Sequence, residues 1–135
     1  MIHNNHGRYP VNSLIFIACG GAAGALLRYF LQTAMPAANG KFPLAILLAN
    51  VIGSLAMGVL FVLLQEKSLL DDWLRPLLMV GLLGAFTTFS TFSLDTIRLL
   101  EAGQPVAALS NILLSVVLSV GAAYMGITLA RLLSQ

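Results

Sequence analysis

The charged residues of this chain are spaced so that they leave four long stretches without any charge. The seven Lys/Arg and five Asp/Glu residues are separated by uncharged runs at 9–27, 42–65, 76–94 and 102–130. A helix of about 20 apolar residues crosses the roughly 30 Å hydrocarbon core of a bilayer. The runs therefore predict four membrane-spanning helices, at approximately 12–32, 43–64, 75–98 and 106–132.

The composition excludes several classes of soluble protein. Apolar residues make up 59% and charged residues 9% of the chain, against about 45–50% and about 25% in soluble domains. So few charges cannot cover a soluble fold, which excludes a soluble enzyme, a nucleic-acid-binding protein and a disordered chain. The single Cys19 excludes an internal disulfide. Because both histidines, His3 and His6, precede the first span, no buried base is available and we expect no enzymatic activity.

The fold class follows from the need of the backbone for hydrogen bonds within lipid. Lipid admits only helices or closed barrels, and a barrel would show strands of about ten residues instead of long apolar runs. We therefore predict an all-α integral membrane protein with a tail at 1–12 and a single four-helix domain at 13–132. The first run is interpreted as a retained span and not a signal peptide, because no cationic stretch precedes it and the apolar pattern continues past Arg28.

The third run is unusually polar for a membrane span. Positions 81–93 contain two glycines, five hydroxyl side chains and three phenylalanines. Glycine and threonine are weak helix formers, and hydroxyls can replace backbone hydrogen bonds. This favours a helix break in mid-membrane, between Gly84 and Thr88, whose freed carbonyls can hold a cation. The alternative is a continuous helix whose small residues allow close packing.

Three phenylalanines recur at a spacing of three residues in this run. Phe86, Phe89 and Phe92 are therefore expected to share one side of a helix. Such a stripe commonly serves packing or lipid contact, but here it alternates with hydroxyls beside the predicted break. Because an aromatic ring has a positive edge, rings turned edge-on would favour an anion without supplying a charge.

Polar residues also interrupt the other runs, and each has two interpretations. Asn50 either hydrogen-bonds a neighbouring helix or contributes to a solute pathway. Asn111, Ser115 and Ser119 are spaced by four and predict a polar stripe, although serines also bond to carbonyls of their own helix. Arg28 either extends to the interface or raises the anion concentration at a pore mouth.

Together these features resemble the Fluc (CrcB) family of fluoride channels. The likeness is carried by the glycine stretch at 20–29, by Asn50 within 49–53, and most specifically by the run at 81–93. The resemblance covers all four spans. It implies an antiparallel, dual-topology homodimer in the inner membrane of a bacterium, surrounded by lipid. Such a dimer has two pathways that passively release fluoride taken up as neutral HF.

The resemblance also implies roles for individual residues. Backbone carbonyls of Gly84 and Thr87 would coordinate a structural Na⁺ at the two-fold axis of the dimer. Asn50 would donate amide hydrogens to fluoride, and the rings of Phe89 and Phe92 would present their edges to it. Ser90, Thr91, Ser115 and Ser119 would complete the pathway, with Arg28 near a vestibule. Some family members carry a tyrosine where this chain has Asn111, and Phe86 has no assigned role.

Physical chemistry agrees with this assignment, and two alternatives remain. Fluoride is strongly hydrated, so a pore must replace its water with hydrogen-bond donors while avoiding a fixed cation that binds too tightly. One alternative is a small dual-topology, proton-coupled drug antiporter, which needs a membrane-embedded Glu or Asp. The other is a structural or assembly subunit without transport, which ion flux in liposomes would exclude.

The distribution of Lys and Arg bears on orientation. With four spans, the tail, the 65–75 loop and the carboxyl end share one side of the membrane. The positive charges divide almost evenly, with Arg8, Lys67, Arg75 and Arg131 on that side and Arg28, Lys41 and Arg98 on the other. Because orientation follows Lys/Arg asymmetry, this near balance predicts insertion in both directions.

Overall fold

The computed structural model describes residues 11–37 and 40–135, which are helical apart from short connections. Residues 1–10, with Arg8, His3, His6 and most of the predicted tail, lie outside the described residues. Four segments are long and apolar enough to span a membrane: Val11–Ala34, Leu44–Glu66, Arg75–Glu101 and Pro105–Leu133. They agree with the predicted spans to within three residues at each end, so those spans are confirmed.

The first and fourth segments are continuous α-helices. Helix α1 covers Val11–Ala34, so that Val11 and Asn12, which the sequence analysis placed in the tail, are helical instead. The second segment begins as α2, Leu44–Leu60, and continues as a π-helical stretch, Phe61–Glu66.

The third segment consists of three helical pieces. A π-helical stretch at Arg75–Leu83 is followed by α3, a single turn at Gly84–Phe86, and by α4, Phe89–Glu101. The fourth segment is α5, Pro105–Leu133, which starts with proline at its first turn.

The backbone is extended between α3 and α4. Thr87 has φ −81° and ψ 153°, and Thr88 has φ −155° and ψ 123°. Phe86 therefore ends one helix while Phe89 begins the next. The expectation that Phe86 shares a helix side with Phe89 and Phe92 is wrong, because the three-residue spacing has that meaning only within one continuous helix.

The bundle is held by two close helix pairs, α2 with α5 and α1 with the π-helical start of the third segment. Glycine allows the close approach. A Cβ atom on Gly126 of α5 would collide with the Leu55 carbonyl oxygen of α2 and lie 3.1 Å from the Val59 nitrogen. Small residues at such contacts let two backbones approach in membrane proteins. The second and fourth segments are also joined at one end, where Arg131 donates to both Glu66 carboxylate oxygens at 2.8–3.1 Å.

This close approach leads to a prediction about α5. Gly126→Ala is expected to push α2 and α5 apart and to lower the free energy of unfolding by about 1–3 kcal/mol. Gly121→Ala is the matched control, because a Cβ atom there has nothing within 4 Å and alanine is the better helix former. Unfolding in detergent micelles by added SDS measures both changes. An equal loss in the two variants would contradict the packing argument.

Candidate functional site

An open cavity of about 550 Å³ lies between the second, third and fourth segments. It combines many of the residues that the sequence singled out. The predicted site residues on its wall are Asn50, Gly84, Thr87, Phe89, Phe92, Ser115 and Ser119. Every side chain described along this wall is uncharged, and the polar groups are an amide and several hydroxyls.

Asn50 of α2 binds the extended stretch of the third segment. Its Nδ2 donates to the Thr88 carbonyl oxygen at 3.1 Å, and its Oδ1 accepts from the Thr88 N–H at 2.8 Å. The amide thus supplies both hydrogen bonds that this residue would have made within a helix. A carboxamide carries two N–H donors, so one hydrogen of Asn50 is used here and the other is left for the cavity.

Thr88 also caps the helix that follows. Its Oγ1 accepts from the Thr91 N–H at 3.2 Å, which satisfies one of the free donors at the start of α4. In a continuous α-helix, the Thr88 and Thr91 N–H groups would donate to the carbonyls of Gly84 and Thr87, four residues earlier. Because both donors are directed to side chains instead, the Gly84 and Thr87 carbonyl oxygens are left to accept from another group.

The two phenylalanines of α4 lie side by side on the cavity wall. The ring centroids of Phe89 and Phe92 are 5.3 Å apart, with 47° between the planes. Their burial differs strongly, since Phe92 is 7% exposed and Phe89 is 77% exposed. Phe92 is therefore held by packing within the chain, whereas Phe89 projects from it.

The stripe on α5 is partly connected by hydrogen bonds. The buried Asn111 donates through Nδ2 to Thr96 Oγ1 at 2.9 Å and accepts from Ser115 Oγ at 3.4 Å. Ser119 Oγ is buried and has no hydrogen-bond partner among residues 11–37 and 40–135. Bonding to the helix's own carbonyls, the alternative from sequence, is therefore wrong for Ser115. An unpaired buried hydroxyl is costly, and Ser119 lies on the cavity wall.

The remaining predicted site residues form a separate polar cluster outside the cavity wall. Arg28 of α1 donates through Nη1 to Thr91 Oγ1 at 3.5 Å, which is a long contact. Thr88 Oγ1 lies 3.2 Å from both Thr91 Oγ1 and Ser90 Oγ. The structure thus divides the predicted site in two, with Thr88 linking the halves.

Two polar residues at the site were not among the site residues predicted from sequence. Ser54 lines the cavity. It follows Asn50 by four residues and so lies on the same helix face, and this spacing could have identified it as a site residue. Thr88 was recognised only as part of the polar run. A threonine at the start of a helical stretch is typical of an N-cap, but the pairing of Thr88 with Asn50 depends on tertiary structure.

Side-chain metal ligands are not grouped in the part of the chain that the structure describes. No set of three His, Cys, Asp or Glu residues comes together within it. A metal ion would therefore depend on backbone and hydroxyl oxygen atoms, such as the carbonyls of Gly84 and Thr87.

Comparison with known proteins gives consistent matches along nearly the whole chain. Residues 15–127 match the family described as CrcB-like protein, Camphor Resistance (CrcB). A relative from Magnetococcus marinus is 47% identical over 121 residues, covering 89% of this chain and 98% of the relative. Relatives from Saccharophagus degradans (45% over 125 residues; 90% and 94% covered) and Coxiella burnetii (43% over 121 residues; 87% and 95% covered) are similar. Each is named fluoride-specific ion channel FluC. The resemblance noted from the sequence is confirmed, and this chain belongs to the CrcB family.

Proposed function

We propose that this protein is a fluoride-selective ion channel that passively exports fluoride across the bacterial inner membrane and so relieves fluoride toxicity. The observation that carries this proposal is the set of nearly full-length relatives, at 43–47% identity, that are named fluoride-specific ion channels. The name of these relatives also indicates a channel and not an enzyme. Four membrane-spanning segments make it a multi-pass membrane protein.

The cavity supports this function by its chemistry. A fluoride ion that leaves water needs hydrogen-bond donors, and the cavity wall carries uncharged residues that have them, namely the amide of Asn50, the hydroxyl of Ser119 and the aromatic ring of Phe92. Conduction requires sites that bind well enough for entry and weakly enough for exit. A wall of neutral donors meets both conditions.

Neither alternative function is favoured by a specific observation. A proton-coupled antiporter needs a carboxylate in its transport path, but the side chains described along the cavity are all uncharged. Asp95, the acidic residue nearest the middle of a span, instead lies 3.6 Å from Arg98. A structural subunit without transport does not match the relatives, which are named fluoride-specific ion channels.

The direct test is efflux from liposomes that contain the purified protein. With a potassium ionophore to balance charge, fluoride should leave the vesicles rapidly and chloride should not. Empty liposomes and liposomes with heat-denatured protein serve as controls. Absence of fluoride efflux from a folded, reconstituted sample would contradict the channel function.

The proposed assembly is an antiparallel, dual-topology homodimer. Its support is that Gly84 and Ser90, on either side of the extended stretch, are exposed, although a glycine backbone and a serine hydroxyl do not suit lipid. Backbone polar groups near lipid are tolerated where protein covers them. A second copy related by a two-fold axis in the membrane plane would bring the two third segments together and cover both helix breaks.

Orientation provides a prediction for this assembly. A run of lysines added after Gln135 should direct the carboxyl end to the cytoplasm, because short flanking positive charges set topology. We expect a reporter fused there to shift to one side and flux to fall, with recovery when a copy of opposite bias is co-expressed. Added glutamines are the matched control. A single orientation of the unmodified protein in cells would exclude the dual-topology dimer.

The proposed structural ion is Na⁺ at the dimer axis. Its support is that the Gly84 and Thr87 carbonyls have lost their helix donors to side chains, and each of two chains would present this pair. Unwound carbonyls in membrane proteins are established Na⁺ ligands. A bound ion would fix the break in position and hold the two chains together.

Removal of sodium should therefore destabilise the dimer. Exchange of Na⁺ for a large organic cation is expected to lower the melting temperature in detergent by about 5 °C or more, because a ligand at 100 times its Kd contributes about 2.7 kcal/mol. Potassium at the same ionic strength controls for salt. Identical melting with and without sodium would contradict the ion site, whatever the flux.

A further inference from the structure

A second cleft, of about 380 Å³, lies at one end of the helical bundle. Helix α1 ends at Ala34, α2 begins at Leu44, α4 ends at Glu101 and α5 begins at Pro105, so all four segments have an end on this side. The two connections touch, because a Cβ atom on Gly40 would lie 2.7 Å from Gln104 Nε2. The cleft therefore lies where the segments leave the apolar core, at the depth of lipid headgroups.

This end cleft is defined by four charged residues on its wall, Lys41, Asp95, Arg98 and Glu101. Two are positive and two are negative, so a ligand that carries one charge of each sign matches it. Arg98 Nη1 is 3.6 Å from Asp95 Oδ1, which is longer than a direct hydrogen bond. The Arg98 side chain is 66% exposed, so its other N–H donors are available to an outside acceptor.

Exposed apolar residues stand next to residues of the end cleft in the sequence. Leu94 and Ile97 of α4 are 49% and 50% exposed, and Leu44, at the start of α2, is 43% exposed. A ligand with a charged head and hydrocarbon chains would place its head among the four charges. Its chains would then lie along these side chains within the bilayer.

We propose that the end cleft binds the headgroup of phosphatidylethanolamine, a lipid that carries a phosphate and a primary ammonium. Lys41 and Arg98 supply N–H donors for the phosphate, which guanidinium and ammonium groups bind well. Asp95 and Glu101 accept from the lipid ammonium, which has only donors. The cleft volume is within the roughly 300–1,000 Å³ typical of small-molecule sites.

The charge pattern selects this lipid over two others. Phosphatidylcholine carries the same charges, but its methylated ammonium has no hydrogen to donate to Asp95 or Glu101. Phosphatidylglycerol has no positive charge and would leave both carboxylates facing an anion. The proposal rests on membrane insertion and not on fluoride conduction, so either can fail without the other.

The test measures lipid binding by native mass spectrometry of the purified protein in detergent. The three lipids are compared with identical acyl chains. The wild-type protein should bind phosphatidylethanolamine roughly tenfold more tightly than phosphatidylcholine, since hydrogen bonds to charged groups have about this effect. Asp95→Asn combined with Glu101→Gln should reduce that ratio to near one. These carboxylates are chosen because Lys or Arg substitutions would also alter topology.

The matched control is Asp71→Asn with Asp72→Asn, which removes the same charge in the connection between the second and third segments. This variant should keep the wild-type preference. If the double variant in the cleft does not fold, Glu101→Gln alone keeps the Asp95–Arg98 pair and should still lower the ratio severalfold. Circular dichroism verifies the helix content of each sample.

Three outcomes would overturn the proposal. They are equal binding of phosphatidylethanolamine and phosphatidylcholine, a preference that survives loss of the carboxylates, and tighter binding of phosphatidylglycerol. A separate arm adds free phosphoethanolamine as competitor. If it displaces the lipid at matched concentration, the ligand is the soluble headgroup and the lipid assignment is wrong; if it does not, the lipid is supported.

Discussion

Substitution of Phe92 by isoleucine is expected to reduce fluoride efflux from liposomes about tenfold or more, because loss of about 1.4 kcal/mol of ion stabilisation corresponds to a factor of ten. Isoleucine keeps most of the volume and the hydrophobicity of phenylalanine but has no positive ring edge. Phe92 is buried against its own chain, and a volume-conserving change there costs less than about 1.5 kcal/mol of stability. The variant should therefore fold, and Phe89→Ile should give a similar loss of flux.

Phe30→Ile is the control for this substitution. Phe30 lies on α1 and is 60% exposed, but it is not on the cavity wall. Fluoride flux through the Phe30→Ile variant should stay at the wild-type level. Size-exclusion chromatography separates a conduction defect from failed assembly. Wild-type flux in both Phe89→Ile and Phe92→Ile would refute the role of the ring edges.

Asn50→Asp is expected to reduce fluoride flux about a hundredfold. The change removes donors that the anion needs and adds a negative charge that repels it. It also places a carboxylate oxygen against the Thr88 carbonyl, where Nδ2 donates at 3.1 Å. Leaving that partly buried carbonyl without its donor should lower stability by about 1 kcal/mol. Flux per folded protein should therefore fall much further than the amount of folded protein.

Asn111→Asp is the matched control for the amide. Asn111 also donates to another segment, at Thr96 Oγ1, but it does not line the cavity. Both variants should lose stability, and flux per folded protein should fall much further in Asn50→Asp than in Asn111→Asp. If the two variants lose flux in parallel with stability, Asn50 acts in packing alone.

The limits of the four spans were predictable from sequence because a charged side chain is costly in lipid. Arg75 begins the third segment both in the charge pattern and in the structure. The location of the polar stripe was equally accessible, since Asn111 and Ser115 follow the helical period. These features depend on local composition and on a single repeat length, which a sequence displays directly.

Other features depend on contacts between segments and were not predictable. The π-helical stretches at Phe61–Glu66 and Arg75–Leu83 occur in ordinary apolar sequence, and such helices are rare and have no compositional signal. Predicting the pairing of Asn50 with Thr88 requires knowing how far the two helices are shifted along their axes relative to each other. For the same reason, the hydrogen bonds of Thr91 with Arg28 and Thr88 could not be predicted from the sequence.

The Asn50–Thr88 pairing also bears on the order in which the chain is assembled. The groups that satisfy the Thr88 backbone belong to the preceding segment and not to the third segment itself. A third segment that enters the bilayer alone must satisfy its own backbone, and a continuous helix is the conformation that does so. We therefore expect an isolated peptide of residues 75–101 to be uninterrupted in lipid. During biosynthesis, the extended stretch would then form only after insertion, when α2 docks.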